Sequence, residues 1–327
     1  MPRIFVYIVH KAGVADDSAF ELTAAAKKID PTASPTALVI GRGPELDSIC
    51  TTIRDSYSEV WKVNHESLAY PNAELVRKAL LKILPPGSVL LASHEHFGID
   101  LCPGLSVKLN AVCVSDVLGI EGVEGGWLKV VRQEFGGAVS THVRCDISAG
   151  AVITVRPGAF KPLHTSITGT ILDKSSEVGT LTAGRRYLET VIAESGDVDI
   201  TKHHVLVSVG RGIQGKDNVA MAEELAEVLG AAVSCSRPVV DAKWLEKSRQ
   251  VGTSGKTVKP KVYLACGISG AFQHLAGIKG NPFIIAINKN PKAPIFQVAD
   301  IGIVDDILEF LPELTSKVRE MRTVAAK

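Results

Sequence analysis

Short runs of β-branched and aliphatic residues alternate with stretches in which apolar positions recur every three or four residues, beginning almost at the first residue. Residues 3–9, 36–40, 59–63 and 88–92 carry the short apolar runs and read as strands. Between them, 17–29, 44–54 and 72–84 place their apolar residues on one helical face. The order βαβαβα predicts a parallel sheet covered by helices on both faces. From 111 to 155 the pattern changes to runs such as WLKVVRQEF and AVSTHVRCDI, which alternate apolar and polar around Gly-Gly pairs and predict a hairpin-like addition of strands. Residues 156–197 are rich in Pro, Gly, Ser and Thr and have little helical period, as expected of a crossover between domains. A second alternation follows, with strands at 204–209, 231–235, 262–266 and 283–287 and helices at 219–229, 269–277 and 306–322.

This pattern predicts two α/β domains, 1–197 and 198–327, and a length of 327 residues is enough for two cores. Hydrophobic residues make up 46% and charged residues 22%, the balance of a chain that folds. With 36 Lys and Arg against 35 Asp and Glu, the net charge of +1 offers no footprint for nucleic acid or an anionic membrane. Cys50, Cys102, Cys113, Cys145, Cys235 and Cys266 are scattered without CxxC spacing and read as reduced core thiols in a cytosol-like compartment. The first apolar run is too short to span a bilayer, so a cytoplasmic protein without membrane insertion is expected.

In an open parallel sheet the ligand sits beyond the carboxyl ends of the strands. In the second half those loops read VGRGIQGKDN, CSRP, SRQVGTSGKT, CGISGAFQH, INKNP and VDD. They supply backbone N–H groups, hydroxyls and positive charge, the groups a diphosphate needs. Gly210, Gly212 and Gly215 form a GxGxxG after a strand and before a helix that Asp217 or Asn218 is placed to cap. A glycine-rich turn without a ligand has the same outline. Ser236 and Arg237 stand where a nicotinamide dinucleotide site has its acidic residue, and Arg237 there suits a 2′-phosphate. An NADP-linked oxidoreductase is therefore one reading. An adenine-nucleotide sensor, from Gly41 and Gly43 after an early strand, is another. Ser269 falls where it would cap a helix directly after a strand, with His274 in that helix's second turn. No HExxH, CxxC or GxSxG marks a substrate-converting site.

The run VYLACGISGAFQHLAGIKGNPFIIAINKNPKAPIFQVADIGIVDD resembles the signature region of the electron-transfer flavoprotein α subunit family, and GRGIQG, SRPVVDA and SRQVGTSGK precede it in that family's order. The resemblance is dense over about the last 120 residues and carried earlier by element pattern and by SHEHFGIDLCPGLSVKLNAVCVSDV. It implies an N-terminal parallel-sheet, nucleotide-hydrolase-like domain that docks a β subunit, and a C-terminal doubly wound domain that holds one non-covalent FAD. Ser236, Ser269 and Gln273 would contact the phosphates or ribityl chain, with Arg211 nearby. Arg237 would lie against the isoalloxazine, Ser254 would face its N5 edge and His274 its C2 carbonyl. Gln250, Val251, Gly252, Thr253 and Gly267 belong to the same contacting loops, and Asn288 and Asp306 would hold the adenosine end. Many members have Gln where this chain has Thr253. A guanidinium and an imidazole near the N1–C2=O edge suit the negative charge that reduction places there. The family further implies AMP or a second FAD in the β subunit, acyl-CoA dehydrogenases of fatty acid β-oxidation or other flavin dehydrogenases as donors, and a quinone oxidoreductase or similar acceptor. Such a chain is an electron carrier, or part of an electron-bifurcating complex, with no catalytic residue and no metal of its own.

Overall fold

Ile4, Phe5, Val6 and Tyr7 are all buried, which a strand permits only where both faces of its sheet are covered. The computed structural model describes residues 2–11, 13–135, 139–163, 167–189 and 198–325 and divides into two units, Met1–Glu189 and Thr190–Lys327. In chain order the first unit contains β1 (Ile4–Tyr7), β2 (His10–Lys11), β3 (Val14–Ala15), α1 (Ser18–Ile29), β4 (Thr36–Gly41), α2 (Glu45–Ile53), β5 (Glu59–Asn64), α3 (Ala73–Ile83), β6 (Val89–Ser93) and α4 (His96–Leu109). Then come β7 (Val112–Glu124), β8 (Trp127–Glu134), β9 (Val139–Asp146), β10 (Ala151–Val155) and β11 (Thr170–Asp173). The sheet order is β11-β5-β4-β1-β6-β10-β7-β8-β9, parallel as far as β7 and antiparallel beyond it. Val6 and Ile8 pack into one core and Phe5 and Tyr7 into the other, on opposite sides of the sheet.

The predicted parallel sheet is present, with three differences. The strand addition at 111–155 is a meander of β7, β8 and β9, but β10 leaves it and inserts between β6 and β7 with parallel pairing on both sides. The crossover stretch contributes β11, which pairs with β5 and closes the far edge of the same sheet; its residues 164–166 and 190–197 lie outside the described residues. Helix α4 is absent from the sequence reading because Gly98, Pro103 and Gly104 interrupt its apolar period.

The second unit contains β12 (Val205–Val209), α5 (Val219–Leu229), β13 (Ala232–Cys235), α6 (Arg237–Asp241), β14 (Val262–Cys266), α7 (Phe272–Leu275), β15 (Phe283–Ile287), β16 (Ile301–Ile303) and α8 (Ile307–Ala325). All five strands are parallel, in the order β13-β12-β14-β15-β16. The chain winds outward in one direction to β13 and in the other to β14, β15 and β16, so the topological switch point lies between β12 and β14. Val207 and Val209 enter the core beneath α5 and α8, while Leu206 and Tyr263 enter the core on the other face. No helix among the described residues is long and apolar enough to cross a membrane.

Candidate functional site

At the switch point the loops after β12 and β14 touch through bare backbone. A Cβ on Gly212 would lie 2.7 Å from the Gly267 Cα, and Gly267 itself has φ +64°. The Gly210 N–H donates to Cys266 O at 2.8 Å, and the Gly212 N–H to Gly267 O at 3.2 Å. Two of the three glycines in GxGxxG are thus needed for this close approach of two loops. Asn218 does not cap α5 as expected: its backbone is helical and its side-chain N–H donates to Ile213 O at 2.9 Å, closing the loop instead.

The loop after β13 folds back on itself across the same edge. Gln250 is buried and its amide donates to Ser254 Oγ at 2.8 Å, while the Thr253 N–H donates to Gln273 O at 2.8 Å. The loop is therefore tied both across its own turn and to α7. Helix α7 begins later than expected. Gly270 has φ +82° and no room for a side chain against Ile295, so the chain turns sharply there and Ala271, not Ser269, precedes the first helical residue. Ser269 is exposed and caps nothing; its carbonyl accepts from the Ile295 N–H at 3.0 Å. α7 is a single turn, so His274 lies within its only turn.

These loops enclose a cavity of about 720 Å³, within the roughly 300–1,000 Å³ of ligand and cofactor clefts. It is lined by every residue expected at the site except Asp306. Arg211, Ser269, Gln273 and Ser254 are exposed, while Ser236 and His274 are buried in the wall. Arg237 opens the short α6 with its side chain 69% exposed and its Nε 3.4 Å from Asp241 Oδ2. Asn288 staples two loops: its amide donates to Ile268 O at 2.8 Å and its Oδ1 accepts from the Asn290 N–H at 2.9 Å. Asp306 caps α8 through the Leu308 N–H at 3.0 Å and pairs with Lys289 at 2.6 Å. The Lys289 hydrogen bond holds its carboxyl below the usual range. Asn290, Ala293 and Pro294 also line the cavity and were not singled out in the sequence, although the stretch that follows β15 carries them.

His274 is more constrained than its sequence position suggests. Its Nδ1 lies 3.1 Å from Val251 O and its Nε2 2.8 Å from Tyr263 Oη, and burial pushes its pKa down to about 4. In the first unit, Gly41 ends β4 and Gly43, with φ +111°, follows it in the bend before α2. His10 and Leu46 pack against Gly41, and the Gly43 N–H donates to Asn64 Oδ1 at 3.2 Å.

A doubly wound sheet whose carboxyl edge surrounds a cavity of this size, walled by hydroxyls, amides and guanidiniums, defines a nucleotide-cofactor-binding protein. Two family models match: the electron transfer flavoprotein domain over residues 4–186 and the electron transfer flavoprotein FAD-binding domain over 199–279. The electron transfer flavoprotein subunit alpha of Thermoanaerobacterium thermosaccharolyticum is 32% identical over 98% of this chain and 98% of its own length. That of Bacillus subtilis is 38% identical over 75% of each chain. A protein of Clostridium saccharobutylicum named FixB is 32% identical over 97% of this chain and 96% of its own length. The chain belongs to the electron transfer flavoprotein α subunit family. The cavity fits the family's cofactor: its volume suits a dinucleotide, and Arg211, Ser236 and Ser269 bring cationic and hydroxyl groups for a diphosphate.

Proposed function

We propose that this chain is the α subunit of a heterodimeric electron transfer flavoprotein, that it holds one non-covalent FAD in the switch-point cavity, and that it carries electrons from flavin dehydrogenases to an acceptor oxidoreductase. The observation that supports this most directly is the gathering of all the expected flavin-contacting residues except Asp306 around one cavity, all of them but Asn288 inside the segment, 199–279, that matches the FAD-binding domain. Residues 198–327 hold the cofactor and 1–197 dock the β subunit, which supplies AMP or a second FAD. The donors are acyl-CoA or other flavin dehydrogenases, and the acceptor is a quinone oxidoreductase or a similar enzyme. Cys113 is exposed rather than in the core, and the cysteines are free, which suits the reducing cytoplasm.

FAD supplies the uptake and release of electrons; the chain's residues bind, orient and set the local charge. Ser236, Ser269 and Arg211 would hold the diphosphate. Gln250 and Ser254 position the loop that faces the ring system, and Arg237 supplies positive charge at the rim. Asn288 keeps the wall of the adenosine side in register through its two hydrogen bonds. Asp306, which lies off the cavity and is engaged by Lys289, is the weakest of the expected contacts.

Co-expression with the β subunit, followed by an absorption spectrum and acid precipitation, tests the reading. A yellow dimer that releases one FAD per α chain supports it, and two flavins per dimer mark the bifurcating form. A colourless protein that binds NADP or ATP, or flavin that stays attached to the denatured chain, overturns it.

A further inference from the structure

Three polar side chains, Ser208, Tyr263 and His274, run from the buried interior of the second sheet to the cavity wall. Ser234 on β13 and Ser208 on β12 are paired in register, both with 0% exposure. The Ser208 and Tyr263 hydroxyls lie 2.7 Å apart, Tyr263 Oη is 2.8 Å from His274 Nε2, and His274 Nδ1 is 3.1 Å from Val251 O. Tyr263 is itself fully buried. Polar groups in such a place persist when their hydrogen bonds are satisfied, as those of Ser208 and Tyr263 are, whereas the Ser234 hydroxyl has no partner among the described residues.

The chemistry of the two ends fixes the direction of this chain. The Val251 carbonyl can only accept, so Nδ1 carries the ring proton. In a neutral ring Nε2 then offers only a lone pair, so the single Tyr263 proton points at it and the Ser208 hydroxyl donates to Tyr263. Val251 belongs to the Gln250–Ser254 turn and is anchored by its own N–H to Cys235 O at 2.9 Å. The imidazole thus bridges the cavity loop and the core of the sheet, with both of its nitrogens engaged.

We propose that Tyr263 is a positioning residue that fixes His274 as a neutral, Nδ1-protonated imidazole clamped to the Val251 carbonyl. Resting on the flavin reading, this deepens the role of His274: with its Nδ1–H given to Val251 O and its Nε2 accepting from Tyr263, the ring has no N–H left to donate to a cofactor carbonyl, and it presents the cavity with steady, uncharged polarity. The titratable and charged groups around it are the Tyr263 phenol, the Cys235 and Cys266 thiols that end β13 and β14, and the Arg211 and Arg237 guanidiniums on the cavity wall. The thiols are pushed up to about 12 by burial and stay neutral. The hydrogen bond from Nδ1 to the Val251 carbonyl favours the charged ring, and burial outweighs it.

The experiment is nitrogen-15 NMR of histidine-labelled full-length chain, purified with the β subunit, followed across pH for the parent, Tyr263→Phe and Ser208→Ala. The parent is expected to show His274 as the Nδ1–H tautomer, uncharged down to about pH 5. In Tyr263→Phe the hydrogen bond that favours the neutral ring is gone, so the titration moves up by roughly one pH unit and the tautomers mix. Ser208→Ala, a smaller change that keeps the phenol, moves both in the same direction by less and serves if Tyr263→Phe does not fold. Flavin absorbance is read on each sample. Loss of flavin from the parent speaks against the flavin reading alone, since His274 reports in its absence. An unchanged tautomer and titration in folded Tyr263→Phe, or an Nε2–H tautomer in the parent, overturns the positioning role.

Discussion

A Cβ placed on Gly210 would sit 2.2 Å from the carbonyl oxygen of Gly267, so the two loops at the switch point meet at a distance that no side chain allows. The atom in the way is backbone, which cannot swing aside. Gly210→Ala is therefore expected to pry the loops apart, lowering stability by about 1–3 kcal/mol and weakening cofactor retention. Gly215, the third glycine of the motif, meets its nearest neighbour, Asn218 Nδ2, only at 3.9 Å. Gly215→Ala should leave the melting temperature and flavin content close to the parent's. Thermal melts and flavin absorbance of the two variants check the contrast; equal effects would mean that the glycines serve a ligand rather than the packing of the loops.

The alternation of short apolar runs with helical periods was enough to place both parallel sheets, because strands such as β1 and β4 are buried on both faces and leave a continuous apolar signature. The signal fails where burial is one-sided or the element is very short. β11 is exposed along its whole length and β16 has three residues, so neither writes a pattern. The loops of the site were legible from their chemistry and their place after strands. The partners of their side chains were not, because these come from elsewhere in the fold. Tyr263, which engages His274, is eleven residues away on the preceding strand, and nothing in AFQH announces it. Likewise Gly270 looks like one more glycine in GISGAF, yet it delays α7 and leaves Ser269 outside the helix.

The first unit has an acid-sensitive lock at the β7–β10 junction. Arg156 donates to both oxygens of Asp116, at 2.8 and 2.6 Å, and His94 Nε2 lies 3.9 Å from Asp116. Asp116 has φ +60°, next to the point where the register of the two strands shifts. Burial raises the Asp116 pKa, but the hydrogen bonds and charge of Arg156, with His94 and Arg132, more than reverse this and leave it lowered. A lowered carboxylate gives stability that is present above its unfolded pKa of about 3.9 and is lost as pH falls through the folded value. His94, lowered by burial and by Arg156 and Arg132 against the pull of Asp116, adds a loss that begins as pH falls through about 6.5. Asp116→Asn should cost about 1.5–3 kcal/mol at pH 7 and flatten the stability profile below pH 4. Denaturant melts from pH 3 to 8 measure this, and an unchanged acid limb would show that the pair is not linked to folding.

Asn288 makes the two hydrogen bonds that keep the loop after β15 beside Ile268. Asn288→Ala removes both and leaves the Ile268 carbonyl without that donor, so a loss of about 1–3 kcal/mol in stability or cofactor affinity is expected. Asn288→Asp keeps the acceptor for the Asn290 N–H but cannot donate to Ile268 O, and should recover part of the loss. Titration of flavin-stripped protein with FAD distinguishes the three; equal affinity in all would remove Asn288 from the site.

Arg237 links a single side chain to the redox role. In the bound state its positive charge at the rim would favour the flavin with an added electron over the oxidised form, so Arg237→Ala should lower the reduction potential. The size follows from its surroundings. The guanidinium is 69% exposed and faces the Asp241 carboxylate at 3.4 Å, so water and a counter-charge both weaken its field. An exposed charge pair is worth about 0.2–1 kcal/mol, and 59 mV corresponds to about 1.4 kcal/mol for one electron, which gives a shift of roughly 10–40 mV. Removing the competing carboxylate by Asp241→Asn should act in the opposite direction and raise the potential. Arg237→Lys should retain part of the effect, since the ammonium keeps the charge but not the planar face. Anaerobic titration of the four proteins against dyes of known potential makes the measurement. Shifts larger than 100 mV would mean that the guanidinium leaves Asp241 and lies against the ring in a drier site, whereas identical potentials in Arg237→Ala and Asp241→Asn would mean that this corner of the cavity does not tune the cofactor.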